Sequence, residues 1–193
     1  MNLTTRVQDI LLKPKKTWTQ IKSEEVSITG IYGSYACIMA AIPPAAQIIG
    51  LAFIGTSFIG TRYRVSLATT LGEAVLSYCV SLAALYIIAL VINFLAPKFA
   101  SRKDLTNAFK LATFSWTPSW IAGLALLAPS LAWFTKLISL YGFYLFYLGL
   151  PVLMDTPRER VDLYFISAIA LSAIFVGFIL SVVALVFPLP TVI

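Results

Sequence analysis

The sequence predicts an all-α integral membrane bundle of five transmembrane helices, preceded by a short amphipathic N-terminal helix. Three observations predict it. The chain is 60% hydrophobic and only 11% charged. An ordinary soluble domain is about 45–50% apolar and about 25% charged, and a globule of this length could not hide the excess. Five apolar runs, roughly 29–54, 71–95, 106–128, 132–154 and 162–187, are near the length needed to cross about 30 Å of hydrocarbon. The basic residues between those runs alternate between rich and poor connections.

Residues 1–25 form the first element, a cytoplasmic juxtamembrane segment, and 26–193 the membrane domain. The segment lacks the apolar stretch of a cleaved signal peptide, and charges are scattered through it (Arg6, Asp9, Lys13, Lys15, Lys16, Lys22). In NLTTRVQDILL, residues Leu3, Val7, Ile10 and Leu11 share one helical face. The pattern predicts a helix lying on the inner leaflet, with Trp18 at headgroup depth and the lysines near anionic lipid.

Each span carries its own local signals. Gly30, Gly33, Ala36 and Ala40 give the first a small-residue stripe suited to close helix contact. Pro43 and Pro44 in the first span, Pro118 in the third and Pro151 in the fourth are kink sites, each removing a backbone donor. Gly142 and Gly149 notch the fourth span among Tyr141, Phe143, Tyr144 and Phe146, and a facing helix is the expected neighbour. The tyrosine hydroxyls need acceptors, which carbonyls freed by the prolines could supply. Three capping boxes are expected: Thr70 to Glu73, Ser101 to Asp104, and Thr156 with Pro157 and Glu159.

Charge sets direction. Arg6, Lys13, Lys15, Lys16 and Lys22 precede span one; Lys98, Arg102, Lys103 and Lys110 lie around the connection between spans two and three; Arg158 and Arg160 lie between four and five. The opposite side has Arg62, Arg64 and Lys136. The excess of basic residues predicts a multi-pass protein of the cell (inner) membrane, with its N-terminus cytoplasmic and its C-terminus outside.

The chemistry on offer is narrow. The chain has no histidine, and no span contains an aspartate or a Ser/Lys pair at depth, so no enzyme, cofactor or metal is expected. Glu73 reads as a helix cap and Lys110 as a snorkelling residue. Cys37 and Cys79 read as small packing residues. Gln47 and Asn93 are placed for interhelical hydrogen bonds. Polar groups at mid-depth include Ser77, Ser81, Ser115, Thr117, Ser167 and Ser172. None is charged, which supplies an ion relay poorly but leaves room for a neutral or lipid-like ligand.

Three blocks, in order, carry a family resemblance. LLKPKKTWTQIKSEE has Pro14, Trp18, Ile21 and Glu24; AFKLATFSWTPSWIAGL has Ser115, Thr117, Pro118 and Trp120. LISLYGFYLFYLGLPVLMDTPRER has Tyr141, Gly142, Tyr144, Gly149, Leu150, Met154 and Pro157. Together they resemble the Yip1 domain family, in its short prokaryotic branch. The resemblance implies a five-span helical domain with a cytosolic N-terminus. Eukaryotic relatives work in vesicle traffic and associate with small Rab-type GTPases. That role is not carried over, because residues 1–25 lack the longer cytosolic segment and the DLYGP-type motif of those relatives.

The expected function is that of a non-enzymatic membrane protein that organises membrane or partner proteins through its transmembrane surface. Its expected partners are membrane lipids, a second copy of the chain, and a membrane or cytosolic protein; nucleic acid is not expected. The alternative is a small transporter or channel with a hydrated chamber at the proline kinks. The candidate cavity or helix-contact residues are Pro43, Pro44, Gln47, Asn93, Ser115 and Thr117, with Pro118, Tyr141, Tyr144 and Gly149.

Overall fold

The computed structural model describes residues 2–58, 61–63 and 66–186. Helix α1, Leu3–Leu12, is capped by Asn2, whose side chain accepts from Thr4 N at 3.2 Å. Helix α2, Pro14–Ser23, starts on a proline, whose missing N–H is no loss in a first turn. The long segment α3, Ile28–Ile54, follows, with Ser27 accepting from Gly30 N at 3.1 Å. It contains π turns at Tyr32–Ala36 and Ile49–Ile54, and it breaks at Ala41 just ahead of Pro43 and Pro44. A hairpin of β1, Thr56–Phe58, and β2, Thr61–Tyr63, joins it to α4, Leu67–Leu95. Then come α5, Leu105–Ser115; α6, Thr117–Ala122; α7, Ala132–Leu153; and α8, Val161–Val186.

Four of these segments, α3, α4, α7 and α8, are long and apolar enough to cross a membrane. They match four of the expected spans to within a few residues. The expected third span, 106–128, is not one helix. It stops at Ser115, restarts at Thr117 and continues as a 3-10 turn over Gly123–Leu127. Pro118 cannot donate to Phe114, and the Ser119 N–H, which a continuous helix would aim at Ser115, donates to Trp116 O at 3.0 Å.

The expected caps all shift. Ser66 caps α4 by accepting from Thr69 N at 3.1 Å, so Glu73 lies well inside the helix and caps nothing. Asp104, not Ser101, caps α5, accepting from Asn107 N at 3.0 Å. Thr156 is no cap either: its hydroxyl donates to Leu150 O at 3.3 Å and accepts from Ser101 Oγ at 2.9 Å. A capping-box pattern fits any of several nearby starts, and tertiary partners decide among them.

The connections on either side of α5 and α7 meet at one end of the bundle. Arg102 N donates to Met154 O at 2.8 Å, and Lys22 pairs with Asp155. Ala100 and Asp155, one in each corner, both take left-handed φ values, 53° and 52°. This end gathers the lysine- and arginine-rich connections. Arg64, counted on the other side, lies outside the described residues.

The core runs through the middle of this arrangement. Helix α4 packs on α5 and α8, and α7 packs on α2, α5, α6 and α8. Two close approaches on α7 need glycine. A Cβ at Gly149 would lie 2.6 Å from Leu111 Cδ1 and 2.7 Å from Trp18 Cε2. One at Gly142 would lie 2.7 Å from the carbonyl oxygen of Ser115. The notch on α7 therefore faces protein, as expected. In the first span only half of the expected stripe does so: Ala36 and Ala40 are buried, while Gly33 has nothing beside it and Gly30 meets only its own turn.

The N-terminal segment corrects its expectation most. Ile10, Trp18 and Ile21 are fully buried. Trp18 sits edge-on to Phe114, with ring centroids 6.5 Å apart, and against Gly149. The apolar face of α1 and α2 therefore packs on the bundle rather than on a leaflet, and Trp18 is a core residue rather than a headgroup anchor. An apolar stripe specifies burial, not what buries it.

Candidate functional site

The expected site residues separate into several places. Pro43 and Pro44 open the second half of α3, and a Cβ at Gly123 would stand 2.5 Å from Pro43 Cγ, so helix contact fills this kink. The break also turns the Ala41 N–H to Met39 O, and Cys37 O accepts from Tyr78 Oη instead, at 3.1 Å. A tyrosine thus takes a carbonyl released near the proline pair, though not one of the tyrosines of α7. Tyr141 reaches Leu11 O at 2.8 Å, in the last turn of α1, where carbonyls lack helical partners. Tyr144 is half-exposed on the outer face of α7.

Gln47 Nε2 donates to Glu73 Oε2 across α3 and α4 at 3.5 Å. This is the interhelical role expected of Gln47, and it gives Glu73 a partner. Asn93 does not fulfil its counterpart, because its Oδ1 is buried without a hydrogen-bond partner. Thr117, beside Pro118 at the start of α6, shares a 2.8 Å hydrogen bond with Tyr35 Oη. Cys37 is partly buried, but Cys79 is exposed, so it is not the packing residue expected. Gln47, Thr117 and Tyr144 therefore do not line one chamber with Ser115.

Ser115 instead belongs to a different cavity, of about 390 Å³, lined by α4, α5, α6, α7 and α8 and open on one side. Its wall is mainly hydrocarbon, including Ile88, Ala112, Phe143, Phe146, Ile169 and Val176. Ser115, Ser119, Ser139 and Ser172 are its hydroxyls, and no charged side chain lines it. Ser139 is occupied, donating to Thr135 O at 2.6 Å. The Oγ atoms of Ser115 and Ser172 are buried with no hydrogen-bond partner. The volume falls within the range of about 300–1,000 Å³ common for small-molecule pockets. The broken helix explains the location. Irregular backbone at membrane depth is tolerated where it is buried in protein, and Ser115, where the helix stops, is buried. Sequence reasoning flagged Ser115 and Ser172 as mid-depth polar groups. Nothing local in the sequence joined them to one pocket.

A second, polar cluster holds the N-terminal helices in place. Arg6 is buried, pairs with Glu24 and stands 5.8 Å from the centroid of the Phe114 ring. Lys110 Nζ donates to Ile21 O at 3.0 Å and to Glu24 O at 2.6 Å. It caps the C-terminal end of α2, where cations are favoured. Lys110 is thus buried against protein instead of snorkelling to headgroups. The chain turns back over α5 here, so the ammonium meets carbonyls before it meets lipid.

The chain is 30% identical, over 182 residues, to the inner membrane protein YohC of Escherichia coli K12, covering 92% of this chain and 93% of that one. The protein of the same name from Escherichia coli O6:H1 matches equally. No solved structure matches. The family model of the Yip1 domain matches residues 9–186, which takes in α2, all four long helices and the broken segment between them. The chain is a Yip1 domain protein, a helical membrane protein of that family.

Proposed function

We propose that this chain is a non-enzymatic, five-crossing protein of the inner membrane that organises lipids or partner proteins through its transmembrane surface. The observation that carries the reading is the outer face of α8. Leu163, Ile166, Ile174, Phe178 and Leu185 are between 62% and 84% exposed, on a helix packed along one side only. Such a face is compatible only with lipid or another protein. The fifth crossing would be α5, α6 and the 3-10 turn after them, taken as one interrupted span. The gathering of the basic connections at one end supports a cytoplasmic N-terminus. The relatives named inner membrane proteins support the compartment. The non-enzymatic part is supported by the cavity wall, whose serines have no base or acid beside them. A second copy of the chain is the proposed first partner.

Reporter fusions at the two termini test the topology; opposite compartments are expected, and the same compartment for both overturns five crossings. Chemical crosslinking of the purified chain in mild detergent tests self-association. A dimer or larger species is expected, and monomers alone at every protein concentration overturn that part.

A further inference from the structure

We propose that the cavity between α4, α5, α6, α7 and α8 is a binding site for one neutral molecule drawn from the bilayer. Its ligand has a long hydrocarbon chain and a carbonyl that accepts from the serine hydroxyls of the wall. This goes beyond the proposed function and does not depend on oligomeric state. Four features select the ligand class. The wall is hydrocarbon apart from its serines, which favours a chain over a polar solute. No cation lines it, so a phosphate or carboxylate would be buried without a counter-charge. Ser115 Oγ and Ser172 Oγ have no acceptor within the protein, and a buried hydroxyl without a partner is costly. Each hydroxyl proton is free to rotate about its Cβ–Oγ bond toward an acceptor. Water answers this need poorly, because apolar cavities stay dry unless polar partners surround each molecule.

The position of the site fits a ligand that arrives within the membrane. Ser172 and Ile169 lie mid-way along α8, and Gly142 and Phe143 mid-way along α7. Gly142 lets the Ser115 carbonyl pack against α7, which sets Ser115 at the edge of the cavity. Two sources share the required chemistry: the ester carbonyl of a diacylglycerol and the ring carbonyl of a prenyl quinone.

Trp116, which also lines the cavity, supplies the readout. The full chain in mild detergent is titrated separately with a bromine-labelled dioleoylglycerol and with decylubiquinone, following tryptophan quenching. Saturable quenching is expected, absent in Trp116→Phe. Ser172→Phe, which fills the space, should abolish it. The double variant Ser115→Ala with Ser172→Ala should weaken it roughly tenfold with volume preserved. Saturation by only one probe supports the site and names its source. Saturation by neither, equal quenching by a brominated phospholipid, or unchanged affinity in the double variant overturns the proposal. Circular dichroism melts of each variant separate lost binding from lost fold.

Discussion

The indole of Trp18 fills the space that a side chain at Gly149 would need: a Cβ there would lie 2.7 Å from Trp18 Cε2. The pairing ties the N-terminal helices to α7. Gly149→Ala should lower stability by about 1–3 kcal/mol, the usual cost of overpacking. Trp18→Ala should cost about 3–5 kcal/mol by leaving a cavity. Detergent unfolding followed by circular dichroism checks both, and adding Trp18→Phe to Gly149→Ala should restore part of the loss.

Lys110 holds α2 by its last carbonyls. Lys110→Met keeps the length of the side chain but leaves Ile21 O and Glu24 O without this donor. The expected cost is about 1–3 kcal/mol. Because the loss is local, limited trypsin digestion at Lys15 and Lys16 should speed up before the bundle itself melts. Equal digestion rates for both proteins would remove Lys110 from this role.

The Tyr35–Thr117 hydrogen bond is buried, with both residues inaccessible. Tyr35→Phe alone, or Thr117→Val alone, strands one hydroxyl or its partner and should cost about 1–2 kcal/mol. Removing both should cost less than the sum, since no polar group is then left unpaired. A double-mutant cycle on melting free energies gives the coupling, and strict additivity would mean that the bond contributes nothing.

Ala100 closes the turn after α4 at φ 53°, while Ser101 N donates to Ala96 O at 3.0 Å. That is a helix stop that prefers glycine. Ala100→Gly should raise stability by roughly 1 kcal/mol, seen as a higher melting temperature.

The long apolar helices were legible in the sequence because length and hydropathy alone define them. The broken segment was only half legible. Pro118 announced a fault, yet nothing local showed that α5 would stop at Ser115 and turn its serine toward a cavity. The N-terminal docking was hidden for a different reason: Leu3, Val7, Ile10 and Leu11 make the same stripe whether lipid or protein receives them. Lys110 and Glu73 were misread because their partners, the carbonyl of Ile21 and the amide of Gln47, lie 89 and 26 residues away. The same distance in sequence hid the approach of Gly50 to Leu126, where a Cβ would meet the carbonyl oxygen at 2.0 Å.

The hydrogen bond from Tyr141 to Leu11 spans 130 residues. During synthesis the first two helices therefore emerge long before their docking surface exists. Until α5 and α7 are threaded, Ile10, Trp18 and Ile21 lack the helices that bury them. Their closure onto the bundle is the step that marks a finished chain.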